Sequence, residues 1–376
     1  MRWGALRPVG EPLAPIRRDI RPADLLPAGF QGVFVQSGTA ALALALLTIK
    51  AGAPASRRRV VLPAYGCPDL VAATVYAGLE PYLVDTAPDS PFYDQEALAR
   101  EIDDQVLAVV CVHFLGLREQ TAEVAAIASE VGAAIIEDSA QAIPPCHGAG
   151  LADLVVVSFG RGKPLGALGG GLLLVREGSR FTIDSALVDV QGGEPLSIGL
   201  RRAAYNLAIR PAPYRLLAGL RFLKIGLTEY QALSGIELLS QARTCAALSQ
   251  WAVASQLANV WQTNAQAIAA EIYRDLAAGG WRFVQPATVD FPAVVRLPIL
   301  APDRPARDKA HRAFQSAGHG SSMMYGRALP ELGCPEGLKF ASIPNALRFA
   351  DLVLTLPVHS GVQRERLARY RGCFIP

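Results

Sequence analysis

The chain has 376 residues, of which 51% are hydrophobic and 18% charged, with a formal net charge of +3. It is long enough for two domains, too apolar for a disordered chain and too nearly neutral to argue for a nucleic-acid partner. No apolar run reaches membrane-spanning length, the first residues lack the apolar stretch of a signal peptide, and the six cysteines form no CxxC pair. Together these features predict a reduced cytoplasmic protein with no metal site and no membrane contact.

In chain order, residues 1–30 read as an arm rich in proline and arginine. A βα rhythm follows: strand 32–36, a uniformly apolar helix 39–50, strand 59–64, helix 69–78, strand 80–85 and a helix near 94–102. Strand 106–114, helix 118–132, strand 133–138 and the apolar runs 152–159 and 171–175 complete it. Alternation of this kind predicts an α/β fold, a mostly parallel sheet with helices on both faces. Residues 180–225 are basic, aromatic and broken by proline. A capping-type TEYQ then predicts one long helical run from about 228 to 275. We expect a division into an arm plus large domain, 1–244, and a long helix plus small domain, 245–376.

Three stretches fall where open α/β sheets place ligands, at strand ends. SGTAAL (37–42) opens a helix, and its free amides and dipole suit a phosphate, although an ordinary N-cap explains the same residues. EDSAQA (137–142) sets Asp138 at the tip of an apolar strand, either aimed at a ligand or forming a capping box with Gln141. SFGRGKPLGALGGG (158–171) holds Lys163, one of five lysines against 31 arginines. A nucleotide phosphate loop fails here, because Pro164 stands where Ser or Thr must hold magnesium. A glycine-rich hairpin with an exposed lysine remains one reading. The other is a lysine that condenses with an aldehyde cofactor, since only lysine offers a neutral amine. His113 and His359 also sit near strand ends, where a hydrogen-bonded core role is the commoner one.

The order of these parts resembles the DegT/DnrJ/StrS family of fold-type-I, pyridoxal phosphate-dependent sugar aminotransferases. The run is SGTAAL (37–42), LPAYGC (62–67), VHFLG (112–116), EDSAQA (137–142), SFGRGK (158–163), Gly170-Gly171, LTEYQA (227–232) and LPVH (356–359). The resemblance implies that Lys163 holds the cofactor and serves as general base. It makes Asp138 the partner of the pyridine nitrogen and Gln141 a contact to the ring hydroxyl. Ser37, Gly38, Thr39 and Ser158 become the phosphate cradle. Cys67 stands where relatives stack an aromatic ring, leaving Tyr65 as a substitute, and Gly169 replaces an acidic residue. Lys224 and Gly226 align with an asparagine and an arginine that reach the neighbouring subunit's phosphate. The implied function is transfer of an amino group from an amino acid, glutamate foremost, to a keto sugar on a nucleotide, in a homodimer with shared sites. A sugar dehydratase, an enzyme acting on a non-sugar ketone and a non-catalytic family member are the alternatives.

Overall fold

The computed structural model describes residues 11–143, 151–189, 197–218, 228–284 and 292–374. Its larger sheet is built from β1 (Phe30–Val35), β2 (Arg59–Pro63), β3 (Glu80–Val84), β4 (Val106–Val112), β5 (Ala134–Asp138), β6 (Leu154–Ser158), β7 (Gly171–Arg176) and the short β10 (Lys339–Phe340). They lie in the order β1-β7-β6-β5-β4-β2-β3-β10. The pairings from β6 through β10 are parallel, and β7 runs against both of its neighbours. Parallel strands covered on both faces need apolar side chains throughout, which is why VLAVVCV and LVVVS read as unbroken apolar runs. Because β7 is antiparallel, its first residue, Gly171, comes to the edge where β6 ends at Ser158, and the two are directly paired.

Helix α1 (Gly38–Ala51) is buried from Ala40 through Leu46 and again at Ile49, and packs at the centre of the sheet's larger core. Helices α2 (Asp69–Tyr76), α3 (Gln95–Glu101) and α4 (Thr121–Glu130) follow their strands. A second sheet, in the order β11-β9-β8, joins β8 (Arg282–Phe283), β9 (Arg296–Leu300) and β11 (Val353–Pro357), all antiparallel. Helix α8 (Ala254–Ala278) buries Trp261, Ala265, Ile268 and Ile272 in one core with Leu297, Ile299, Leu354 and Leu356 of this sheet. Helix α10 (Pro344–Leu352) instead sends Ala346 and Phe349 into the core of the larger sheet.

The long helix expected from residue 228 is not formed. Residues 228–240 form no helix, with isolated β-bridges at Glu237 and Leu238, and α7 (Gln241–Trp251) starts only after Ser240. The open edge of β1 takes the segment: Leu238 bridges Val35, Leu239 N donates to Phe34 O at 3.0 Å, and Gln36 N donates to Glu237 O at 3.0 Å. The Gln36 amide reinforces this, donating to Gly235 O at 2.5 Å and accepting from Glu237 N at 2.8 Å. Sheet partners satisfy the backbone groups that a helix would otherwise have paired internally.

The arm is anchored from Glu11 onward. Leu13 and Asn206 of α5 (Ile198–Ala208) exchange two hydrogen bonds, at 2.7 and 3.1 Å, and Ala14 N donates to Gln250 Oε1 at 3.0 Å. The buried Glu11 carboxylate accepts from Trp261 Nε1 at 2.7 Å and from Ser360 N at 2.6 Å. A single extended strap therefore ties α5, α7 and α8 together.

Candidate active site

The parallel strands deliver their last residues to one edge, and a cavity of about 230 Å³ lies there. Ser37, Gly38, Thr39, Cys67, Asp138, Ser158 and Lys163 all line it, together with Asp69, Arg161, Gly169 and Gly170. These residues run from Ser37 to Gly170 in the chain, so only the sheet unites them.

On one side α1 opens toward the cavity. Ser37 is its N-cap, with Oγ accepting from Ala40 N at 3.0 Å, and the first-turn amides have no partner inside a helix. Gly38 permits the close fit to β6, since a Cβ there would stand 2.8 Å from Ser158 Cβ and 2.9 Å from Ser158 Oγ. The loop from Gly160 returns through Gly169 and Gly170, whose φ of 111° and 121° exclude an L side chain without strain. The space beyond Gly169 is filled by Arg243, whose Nη2 would lie 2.6 Å from a Cβ at that position and donates to Leu168 O at 3.2 Å.

Asp138 ends β5, and its Oδ1 accepts from Ala140 N at 2.9 Å. No helix follows it among the described residues, so the capping-box reading of Asp138 and Gln141 does not hold. Burial pushes the Asp138 carboxyl above the usual carboxylate range, while the Lys163 ammonium, the Ala140 amide and His113 pull it back. Cys67 supplies the wall between α2 and the cavity. Burial, aided by Asp69, pushes its thiol up to about 12 against an opposing pull from Lys163.

Two predicted residues do not reach the cavity. Tyr65 is 1% exposed, ringed by Phe114, Tyr325 and Phe349 at centroid distances of 4.9–5.6 Å, so it cannot replace the missing stacking ring. Gln141 spends its amide on structure, accepting from Leu115 N at 2.7 Å and donating to Tyr325 OH at 3.0 Å. Lys224 and Gly226 lie outside the described residues. His113 is buried behind Asp138, with Nδ1 accepting from Glu119 N at 3.2 Å and Nε2 3.0 Å from Glu137 Oε1. His359 is likewise buried and accepts from Gly361 N at 3.0 Å. Sequence reasoning missed Asp69, which reads as an ordinary acid in the first turn of a helix.

The residues present suit a phosphorylated aldehyde cofactor. They supply an amine, a carboxylate, and a hydroxyl-rich helix start with a glycine-sized gap for a phosphate. Solved structures with this architecture include NtdA from Bacillus subtilis with bound PMP, at a TM-score of 0.68 and 16% identity over 91% of this chain and 72% of that one. Helicobacter pylori PseC, an aminotransferase of pseudoaminic acid biosynthesis, gives 0.67 and 16% over 92% and 85%. This chain shares its fold with these two structures. Residues 30–190, under half of the chain, match the model of the DegT/DnrJ/EryC1/StrS aminotransferase family.

Among curated relatives, Protein MosB of Rhizobium meliloti is 35% identical over 155 residues, 39% of this chain and 29% of its own. The UDP-N-acetyl-3-dehydro-alpha-D-glucosamine 3-aminotransferase of Acidithiobacillus ferrooxidans is 35% identical over 150 residues, 38% of this chain and 39% of its own. The matched stretch thus spans well under half the length of these relatives.

Proposed function

We propose that this protein is a pyridoxal phosphate-dependent aminotransferase that moves an amino group from an amino acid, glutamate foremost, to a keto sugar carried on a nucleotide. The observation that carries the reading is Lys163 and Asp138 lining one cavity that also takes in the start of α1. When bound, the cofactor supplies an electron sink for the substrate's α-carbon. The chain's own groups do the rest. Lys163 Nζ holds the cofactor's aldehyde carbon and then moves the proton at the reacting carbon. The Asp138 carboxylate holds a proton on the pyridine nitrogen. Ser37, Gly38, Thr39 and Ser158 bind the phosphate and so orient the ring. Cys67 closes the ring's face with a small, protonated, unreactive thiol.

The keto-sugar substrate rests on the family domain and on the UDP-sugar relative. A homodimer in which Lys224 of one copy reaches the other copy's phosphate, working in the cytoplasm on sugars for surface polysaccharide, completes the proposal; it is supported by the sequence resemblance.

The test is chemical. Purified protein incubated with pyridoxal phosphate should show a visible absorption band, and borohydride reduction should leave a pyridoxyl group on the peptide containing Lys163. An adduct on any other lysine, or no band at saturating cofactor, overturns the reading.

A further inference from the structure

We propose that helix α5 docks on an anionic membrane surface, lying in its plane with an apolar stripe against the lipid. The proposal stands apart from the aminotransferase reading and uses a segment that the cofactor chemistry leaves unassigned.

The inward side of α5 is largely polar. Asn206 exchanges its two hydrogen bonds with Leu13 of the arm, Arg202 Nη1 donates to Leu13 O at 3.4 Å, and Ile198 is the helix's one buried residue. The outward side is apolar. Leu200, Ala203, Ala204 and Leu207 are all exposed, and their i, i+3, i+4, i+7 spacing sets them in one stripe. At 59% and 55%, Leu200 and Leu207 are the two most exposed leucines among the described residues. A surface helix ordinarily turns such a stripe to the core. Here the bonds to the arm hold it outward, and nothing among the described residues covers it.

Charge selects the occupant. Between Glu194 and Glu229 the sequence has six Lys or Arg residues and no acid. The whole chain carries only +3, so its positive charge is concentrated here and the remainder is net negative. Arg201 lies three residues before Ala204 at the edge of the stripe, and the exposed Arg210 follows the last turn. Apolar side chains flanked by cations are what an in-plane helix presents to anionic headgroups, and each cation near the surface adds to the attraction. A second copy of this chain fits less well. A two-fold contact through α5 would set these cations against their own copies, with no acid in the segment to receive them. Among the described residues no helix is long and apolar enough to cross a membrane, so the contact is peripheral.

Vesicle flotation tests this. Wild type, Leu200→Asp/Leu207→Asp and Arg210→Glu are mixed with vesicles of phosphatidylcholine alone, and with vesicles that also contain phosphatidylglycerol. Urea unfolding checks that the variants keep the fold, as exposed positions should allow. Wild type should float with the anionic vesicles and not with the neutral ones. It should be released as salt rises from about 0.1 M to about 0.5 M. The leucine double variant should lower the partition coefficient at least about tenfold, because two apolar side chains no longer enter the lipid. Arg210→Glu should lower it several-fold, and it decides the matter if the leucine variant unfolds.

Sedimentation velocity without lipid reads the competing occupant. Wild type that floats with neither vesicle overturns the proposal; if it is then a dimer that the leucine variant splits, a second copy covers the stripe. Variants that float like wild type overturn it by moving the contact to another surface. Equal flotation with neutral and anionic vesicles overturns the assignment to an anionic surface.

Discussion

Gly38 lies so close to Ser158 that the Cβ it lacks would stand 2.8 Å from the serine's Cβ and 2.9 Å from its Oγ. The first turn of α1 is thereby pressed onto the end of β6, and the gap left over forms one side of the cavity. Gly38→Ala should force the two apart. The apoprotein should lose about 1–3 kcal/mol, the usual cost of overpacking. Pyridoxal phosphate should bind at least about tenfold more weakly, since a helix start grips an anion only at hydrogen-bond distance. Urea unfolding of the apoprotein and fluorescence titration of the cofactor measure the two effects. A variant that binds cofactor like wild type shows that this contact does not shape the cradle.

Asp138→Asn separates a structural role from a chemical one. Asparagine keeps an oxygen to accept from Ala140 N, the bond seen at 2.9 Å, so the fold should be unchanged. It cannot keep a proton on the pyridine nitrogen, so turnover should fall by about a hundredfold or more. Cofactor retention should fall much less. Equal turnover in the variant would reduce Asp138 to a local backbone brace.

The cysteine that replaces the stacking ring should be chemically quiet. With its thiol pushed up to about 12 by burial, Cys67 is almost wholly protonated at pH 8, and the thiolate is the reactive form. Iodoacetamide at pH 8 should therefore leave Cys67 unmodified over hours in the folded apoprotein, as mapped by peptide mass. Rapid labelling at pH 8 would mean that the thiol of this half-buried, cavity-lining cysteine is not held protonated.

Much of this architecture was legible because it is local. VLAVVCV and LVVVS can only be strands buried on both faces, and the residues at their ends point to one ligand edge whatever the loops do. What was not legible depends on partners far away in sequence. TEYQ carries the spacing of a helix cap, yet the edge of β1, some 200 residues earlier, captures the following backbone at Glu237 and Leu238. Tyr65 and Gln141 look like ring contacts until Tyr325 arrives from the far part of the chain, packing on the one and accepting from the other.

Glu119 supplies a pH signature that does not involve the cofactor. Its carboxylate accepts from Tyr93 N at 3.2 Å and from Gln120 N at 3.0 Å, and burial pushes its pKa from 4.5 up to about 7. Between those two values the folded protein holds a proton that the unfolded chain has released, so stability must fall as pH rises through the window. The slope reaches about 1.4 kcal/mol per pH unit, and the loss is about 3 kcal/mol at most by pH 7. Above pH 7 both states are ionised and Glu119 contributes no further slope. Glu119→Gln removes the titration while keeping one acceptor oxygen. Its stability should be nearly level from pH 5 to pH 8 where the wild type declines, whatever its absolute value. Urea unfolding at pH 5, 6, 7 and 8 provides the comparison. Parallel wild-type and Glu119→Gln curves would show that the loss arises at another group and that Glu119 is ionised throughout.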